Sequence, residues 1–214
     1  MANLSIQTTG SFTALNRPND VYDPGDTAVD PAVVCGIDEA GRGPLAGPVT
    51  AGAVILGPDF PLTVLNDSKK LSPAARTKAA AVIREQALSY ALGWAWPEEI
   101  DRYNIHCASL LAMERALRAL GVKPELVLVD GKFTPRSPVP CRAVVKGDAL
   151  IPVIMAASII AKTGRDVWME RYARLEPGYG FEVHKGYPTA GHRKAVARLG
   201  LSPIHRRSFR IALS

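Results

Sequence analysis

The sequence predicts an α/β domain built on one central sheet, because short β-branched runs alternate with longer segments of helical apolar spacing, punctuated by Gly and Pro. A chain of 214 residues with 47% hydrophobic and 21% charged residues has enough apolar side chains for one packed core. That composition excludes a wholly disordered or fibrous chain.

Val33–Ile37 with Ala32, and Val49–Leu56, read as the first two strands, separated by a glycine-dense turn. Ser72 supplies an N-cap and Pro73 a first-turn proline for a helix to about Ser89, followed by a strand over Tyr90–Trp96. Ile105, Ala108, Leu111, Ala112, Leu117 and Leu120 recur at helical spacing, which predicts a helix over Asn104–Leu120 that stops at Gly121. Leu126–Val129 and Arg142–Val145 read as further strands, each followed within three residues by an acid, and Val153 to about Leu175 as a long helix. Residues 1–31 show no sustained periodicity and carry one arginine against four aspartates, so they are expected to form a flexible tail ahead of a domain over 32–214.

The 26 Lys and Arg against 20 Asp and Glu give a net charge of +6, concentrated toward the C-terminus, where residues 162–214 hold 11 basic and 4 acidic side chains. Such a field attracts phosphate-rich partners. Three widely spread cysteines without a C-x-x-C pair argue against a disulfide framework or a zinc site and fit a reducing cytosol. No apolar run reaches membrane-spanning length and the N-terminus lacks a secretory signal, so a cytoplasmic protein is expected.

Asp38 and Glu39 stand where a strand gives way to Gly41-Arg42-Gly43. Adjacent strand residues point to opposite faces, but a roll of the backbone at the strand end would let both acids approach one cleft. The glycines let main-chain N–H groups come close to an anion. The spacing fails the dinucleotide fingerprint. Asp130 and Asp148 each follow an apolar strand. Alone each is an ordinary turn residue, but four acids at sheet ends form an oxygen-rich set suited to Mg²⁺ or Mn²⁺ and to phosphodiester hydrolysis. Asp166, four residues after Lys162, reads as half of a helix-surface ion pair, with a supporting metal or water contact as the alternative. Ser158 and Lys162 miss the S-x-x-K spacing, which excludes a serine nucleophile of that type. The four histidines lack H-E-x-x-H. His184–Thr189 sets Lys185 next to Tyr187, itself flanked by Gly186 and Pro188, a combination that can stack on a base and meet phosphate. The basic run Ser202–Ser208, with Arg206 and Arg207, reads as a solvated tail or a phosphate contact.

Seven segments in order, Gly36–Pro44, Asp67–Ser72, Val129–Gly131, Lys146–Asp148, Ala156–Lys162, His184–Thr189 and Ser202–Phe209, closely resemble bacterial ribonuclease HII, the type 2 ribonuclease H. The resemblance implies a ribonuclease H-like fold with a central mixed sheet flanked by helices and a helical C-terminal region. It implies cleavage of RNA in RNA–DNA hybrids, and 5′ of ribonucleotides embedded in duplex DNA, leaving 5′-phosphate and 3′-hydroxyl ends. Asp38, Glu39, Asp130 and Asp148 match the family's active-site acids. Gly41, Arg42 and Gly43 match its 2′-hydroxyl-sensing turn, and Tyr187 its stacking aromatic. Lys69, Lys146, Ser158, Lys162 and Lys185, within the matching segments, are expected substrate contacts. Mn²⁺ or Mg²⁺ is the expected cofactor, in a two-ion hydrolysis led by Asp38, Glu39 and Asp130 with Asp148 on the second ion. A monomer is expected. Two rivals are a metal-dependent nuclease for other nucleic-acid structures, which would not need the Gly41–Gly43 sensor or Tyr187, and a non-catalytic hybrid-binding module, which leaves four acids in a basic domain unexplained.

Overall fold

The computed structural model describes residues 33–65 and 71–210, so the expected tail and Lys69 lie outside the described residues. Strands β1 (Val34–Ala40), β2 (Val49–Ile55), β3 (Ser89–Ala95), β4 (Leu126–Asp130) and β5 (Cys141–Val144) form one sheet in the order β3-β2-β1-β4-β5. The first three are antiparallel neighbours, whereas β1, β4 and β5 run parallel. The expected mixed α/β sheet is therefore present. Parallel pairing brings the C-terminal ends of β1, β4 and β5 to one edge, where open α/β sheets hold their ligands.

Helix α1 (Pro73–Gln86) is capped by the Ser72 hydroxyl, which accepts from the Ala75 N–H. It packs with α4 (Pro152–Ala173) on one face of the sheet through Ala79, Ala80, Ile83, Ala156, Ile159 and Ile160. Helix α2 (Pro97–Arg118) covers the other face through Ile100, Ala108, Ala112 and Ala116. The expected start at Asn104 corresponds to a kink inside α2. There Asn104 has φ 68°, and its carboxamide oxygen accepts from the N–H groups of His106 and Cys107, which caps the second stretch. Both helices sit unusually close to the sheet. A Cβ on Gly52 would lie 2.4 Å from the Ala157 carbonyl oxygen, and one on Gly93 2.0 Å from that of Ala112. Short helices α3 (Gly147–Leu150) and α5 (Phe181–His184) and helix α6 (Ala190–Leu199) complete the chain and supply the helical C-terminal region.

The C-terminal elements enclose a small polar and aromatic core of Tyr179, Phe181, His192 and His205. Burial pulls the His205 pKa down to about 4, with the neighbouring His192 and His184 adding to the shift, and burial lowers His192 as well. Each ring is thus neutral in the folded protein where the unfolded chain would begin to protonate it near pH 6.5. The stability these rings contribute is complete above that pH and is lost as pH falls toward 4, since the unfolded state then binds more protons. The urea midpoint should fall between about pH 7 and about pH 5, and less so in His205→Asn. Parallel pH profiles for the two proteins would show that His205 is not the group responsible.

Candidate active site

Strand β1 runs through both acids to Ala40, further than the sequence pattern predicts. Asp38 therefore faces α4 and Ser158, while Glu39 lies toward the α2 side, beside His106 and Phe133. The β1–β4 register pairs Ile37 with Val129, which sets Asp38 beside Asp130 at the end of the neighbouring strand. Asp148 arrives on α3 just beyond β5, and its backbone N–H donates to Asp130 Oδ1 at 3.3 Å. Carboxylate oxygens of Asp38, Asp130 and Asp148 all lie within 4.8 Å of one another. Glu39 stands outside this cluster, on the wall of the same cleft, with its carboxylate 3.1 Å from the Arg42 guanidinium.

Burial, followed by the charges of Glu39 and Asp130, raises Asp38 well above the usual carboxylate range, and the Ser158 hydroxyl offsets this in part. Glu39 is also raised, by burial, against the lowering effect of Arg42. Three converging carboxylates repel one another, and a divalent cation among them would relieve that repulsion. The donor set is all oxygen, which suits a hard cation.

The cleft, about 450 Å³, is lined by Asp38, Glu39, Asp130 and Asp148 together with the Gly41–Gly43 turn, Lys162 and Tyr187. Gly41 has φ +94°, and a Cβ there would meet Arg165 Nε at 2.2 Å, so only glycine fits. The Tyr187 ring lies against Gly43, where an added Cβ would be 3.7 Å from Cε1, and the residue is 39% exposed. Lys162 Nζ is 5.7 Å from the centre of that ring and pairs with Asp166 at 2.7 Å, the ion pair its helical spacing predicts.

Of the expected substrate contacts, Ser158 lines the cleft. Lys146 and Lys185 do not. Lys146 is exposed in a left-handed conformation two residues before Asp148, and the Lys185 ammonium is held by Glu170 at 2.9 Å. Arg76, near the start of α1, lines the cleft and was missed by sequence reasoning. Its signal was an arginine in a helix's first turn, where the macrodipole disfavours a cation. The reading of Arg206 as part of a solvated tail or phosphate contact is overturned. It is fully buried and donates to the carbonyls of Gly41, Arg42 and Gly47. Arg207 is exposed, and its backbone N–H donates to Asp101.

The ribonuclease HII family profile matches residues 35–212. The chain belongs to the ribonuclease HII family. It is 58% identical to ribonuclease HII of Nitrosococcus oceani over 177 residues, which covers 83% of this chain and 88% of that one. It is equally similar to ribonuclease HII of Dechloromonas aromatica, over 83% of this chain and 90% of the relative. Among solved structures, ribonuclease H2 of Pyrococcus horikoshii superposes with TM-score 0.71 at 26% identity, covering 84% of this chain and 94% of that one. Bst-RNase HIII in complex with Mn²⁺, at 18% identity and TM-score 0.66, shares the fold and covers 97% of this chain and 73% of that one. As a ribonuclease HII, the protein is a metal-dependent endoribonuclease that acts on RNA–DNA hybrids. The Asp38, Asp130 and Asp148 cluster fits that metal dependence. Among the described residues no helix is long and apolar enough to cross a membrane.

Proposed function

We propose that this ribonuclease HII reads the RNA–DNA junction and incises duplex DNA 5′ of a single embedded ribonucleotide, leaving 5′-phosphate and 3′-hydroxyl ends. The observation that carries the reading is that the carboxylate cluster, the Gly41–Gly43 turn and Tyr187 all line one cleft. Asp38, Asp130 and Asp148 would hold Mg²⁺ or Mn²⁺, with Glu39 beside them. Bound there, a pair of such ions supplies an activated water and charge stabilisation for the departing 3′-oxygen. The protein's own residues orient the strand. Tyr187 offers a stacking face, and Arg42, Arg76 and Lys162 meet phosphate oxygens. The turn's main-chain groups test for the 2′-hydroxyl that separates RNA from DNA. Ser158 steadies Asp38 through its hydroxyl. Lys146 and Lys185 contribute charge to the flanking duplex outside this cleft, and Lys69 is a further substrate contact.

The experiment is cleavage mapping on a duplex carrying one ribonucleotide, with and without Mg²⁺ or Mn²⁺. We expect one metal-dependent cut on the 5′ side of the ribonucleotide. Cutting of an all-DNA duplex at a similar rate, or metal-independent cutting, would overturn the reading. We also propose that the catalytic domain spans residues 32–214 and works as a cytoplasmic monomer. Deleting residues 1–30 should leave the thermal transition cooperative and the cleavage rate within about twofold, a difference of roughly 0.4 kcal/mol in barrier. Loss of the cooperative melt would show that the deleted segment belongs to the fold.

A further inference from the structure

Two arginines with no exposed surface, Arg165 and Arg206, lie beneath the Gly41–Pro48 segment. Arg165 donates to the carbonyls of Pro48 (2.9 Å), Ala46 (3.0 Å) and Lys185 (2.9 Å). Arg206 donates to those of Gly47 (2.9 Å), Arg42 (3.0 Å) and Gly41 (2.6 Å). Among the described residues neither guanidinium pairs with a carboxylate within 4.0 Å. Arg206 also lies over the Phe209 ring, 5.0 Å from its centre. Burying two cations without a carboxylate partner is costly, and the return is geometric: a planar fork fixes several carbonyl directions at once.

Those directions matter because every peptide here is trans, so each C=O and the following N–H point opposite ways. With the Gly41 and Arg42 carbonyls drawn inward to Arg206, the N–H groups of Arg42 and Gly43 face outward, and both residues line the cleft. Among the described residues, neither N–H has a hydrogen-bond acceptor. They form a pair of preset donors.

The residue before Arg206 bears on Tyr187, which lines the same cleft. The Ser202 N–H donates to His205 Nδ1 at 2.9 Å, which leaves the His205 proton on Nε2. His205 Nε2 is 3.0 Å from His192 Nε2, so His205 donates, and the His192 proton must sit on Nδ1. That group is 3.0 Å from the Tyr187 carbonyl oxygen and donates to it. Every donor and acceptor in the chain is thereby matched, with both rings neutral. An isolated bridge between Ala46 and His205, with Arg206 N–H donating to Leu45 O and Gly47 N–H to Ile204 O, pins this segment to the loop after the turn.

We infer that His205 and Arg206 are positioning residues that set the register between the two halves of the 2′-hydroxyl sensor: Arg206 aims the Arg42 and Gly43 N–H groups, and His205, through His192, fixes the Tyr187 backbone. The inference rests on the junction-sensing reading of the cleft. It assigns to one C-terminal segment the spacing between the stacking ring and the donors beside it. Neither residue touches the substrate.

The test compares single-turnover cleavage of a one-ribonucleotide duplex with that of a long RNA–DNA hybrid, and uses the ratio of the two rates. Arg206→Lys replaces a fork by a point donor and should lower that ratio about tenfold, while shifting the amide NMR signals of Arg42 and Gly43. His205→Asn can still accept from Ser202 but cannot reach His192, and should lower the ratio about fivefold. Thermal melts accompany each variant. If Arg206→Lys is too unstable to assay, His205→Asn decides through a cycle with Tyr187→Ala: in that background it should change the ratio no further. Independent, additive effects of His205→Asn and Tyr187→Ala, or unchanged ratios in well-folded variants, would overturn the inference. A wild type indifferent to the ribonucleotide, or a Tyr187→Ala variant with an unchanged ratio, would sink the sensor reading itself, which keeps the two failures distinct.

Discussion

Replacing Asp38 or Asp130 by asparagine is expected to abolish metal-dependent cleavage while leaving hybrid binding largely intact. Either change removes a charged oxygen donor from a three-carboxylate cluster and substitutes an amide that binds Mg²⁺ or Mn²⁺ poorly. Metal-assisted stabilisation of the transition state is worth several kcal/mol, so the rate should fall by roughly a thousandfold or more. Binding rests on the basic surface and its phosphate contacts, which neither substitution alters. Stability should move the other way for Asp38→Asn. Burial and the neighbouring carboxylates disfavour ionised Asp38, so in metal-free protein the neutral amide relieves repulsion and the melting temperature should not drop. Near-normal turnover in either variant, measured in saturating Mg²⁺, would remove these residues from the catalytic set. A large loss of hybrid affinity would show that the cluster also serves binding.

Tyr187→Ala should lower cleavage at a single embedded ribonucleotide far more than it lowers hybrid binding. The ring is partly exposed on the cleft wall against Gly43, beside the turn whose N–H groups face the same space. Base–aromatic stacking contributes about 1–3 kcal/mol, so the rate should fall roughly 5- to 150-fold. A long hybrid offers many phosphate contacts and tolerates the loss better. Rates on the two substrates, with affinities measured in parallel, check this. Equal small losses on both would reduce Tyr187 to a packing residue. The substitution leaves the Tyr187 carbonyl in place, so the His192 hydrogen bond can persist and the fold should hold.

The order of strands and helices was legible in the sequence because β-branched runs and helical periodicity are local signals, and the Ser72 cap and the Asn104 helix start are local as well. Seven short segments in fixed order pointed to the candidate acids, and Asp38, Asp130 and Asp148 do lie together. The grouping within the site was decided by tertiary structure. Period-two alternation along β1, continued one turn of the pleat beyond the expected strand end, sends Glu39 away from the cluster that Asp38 joins, and parallel pairing with β4 and β5 selects Asp130 and Asp148 as its companions. Arg76 reaches the cleft only because α1 packs beside α4. The basic run at Ser202–Ser208 carried the least local information. In sequence, consecutive Arg206 and Arg207 are indistinguishable cations, yet one is wholly buried and the other exposed. What separates them is a set of backbone carbonyls more than 150 residues away at Gly41, Arg42 and Gly47, and a guanidinium survives burial only where the fold delivers such acceptors in a geometry that matches its fork.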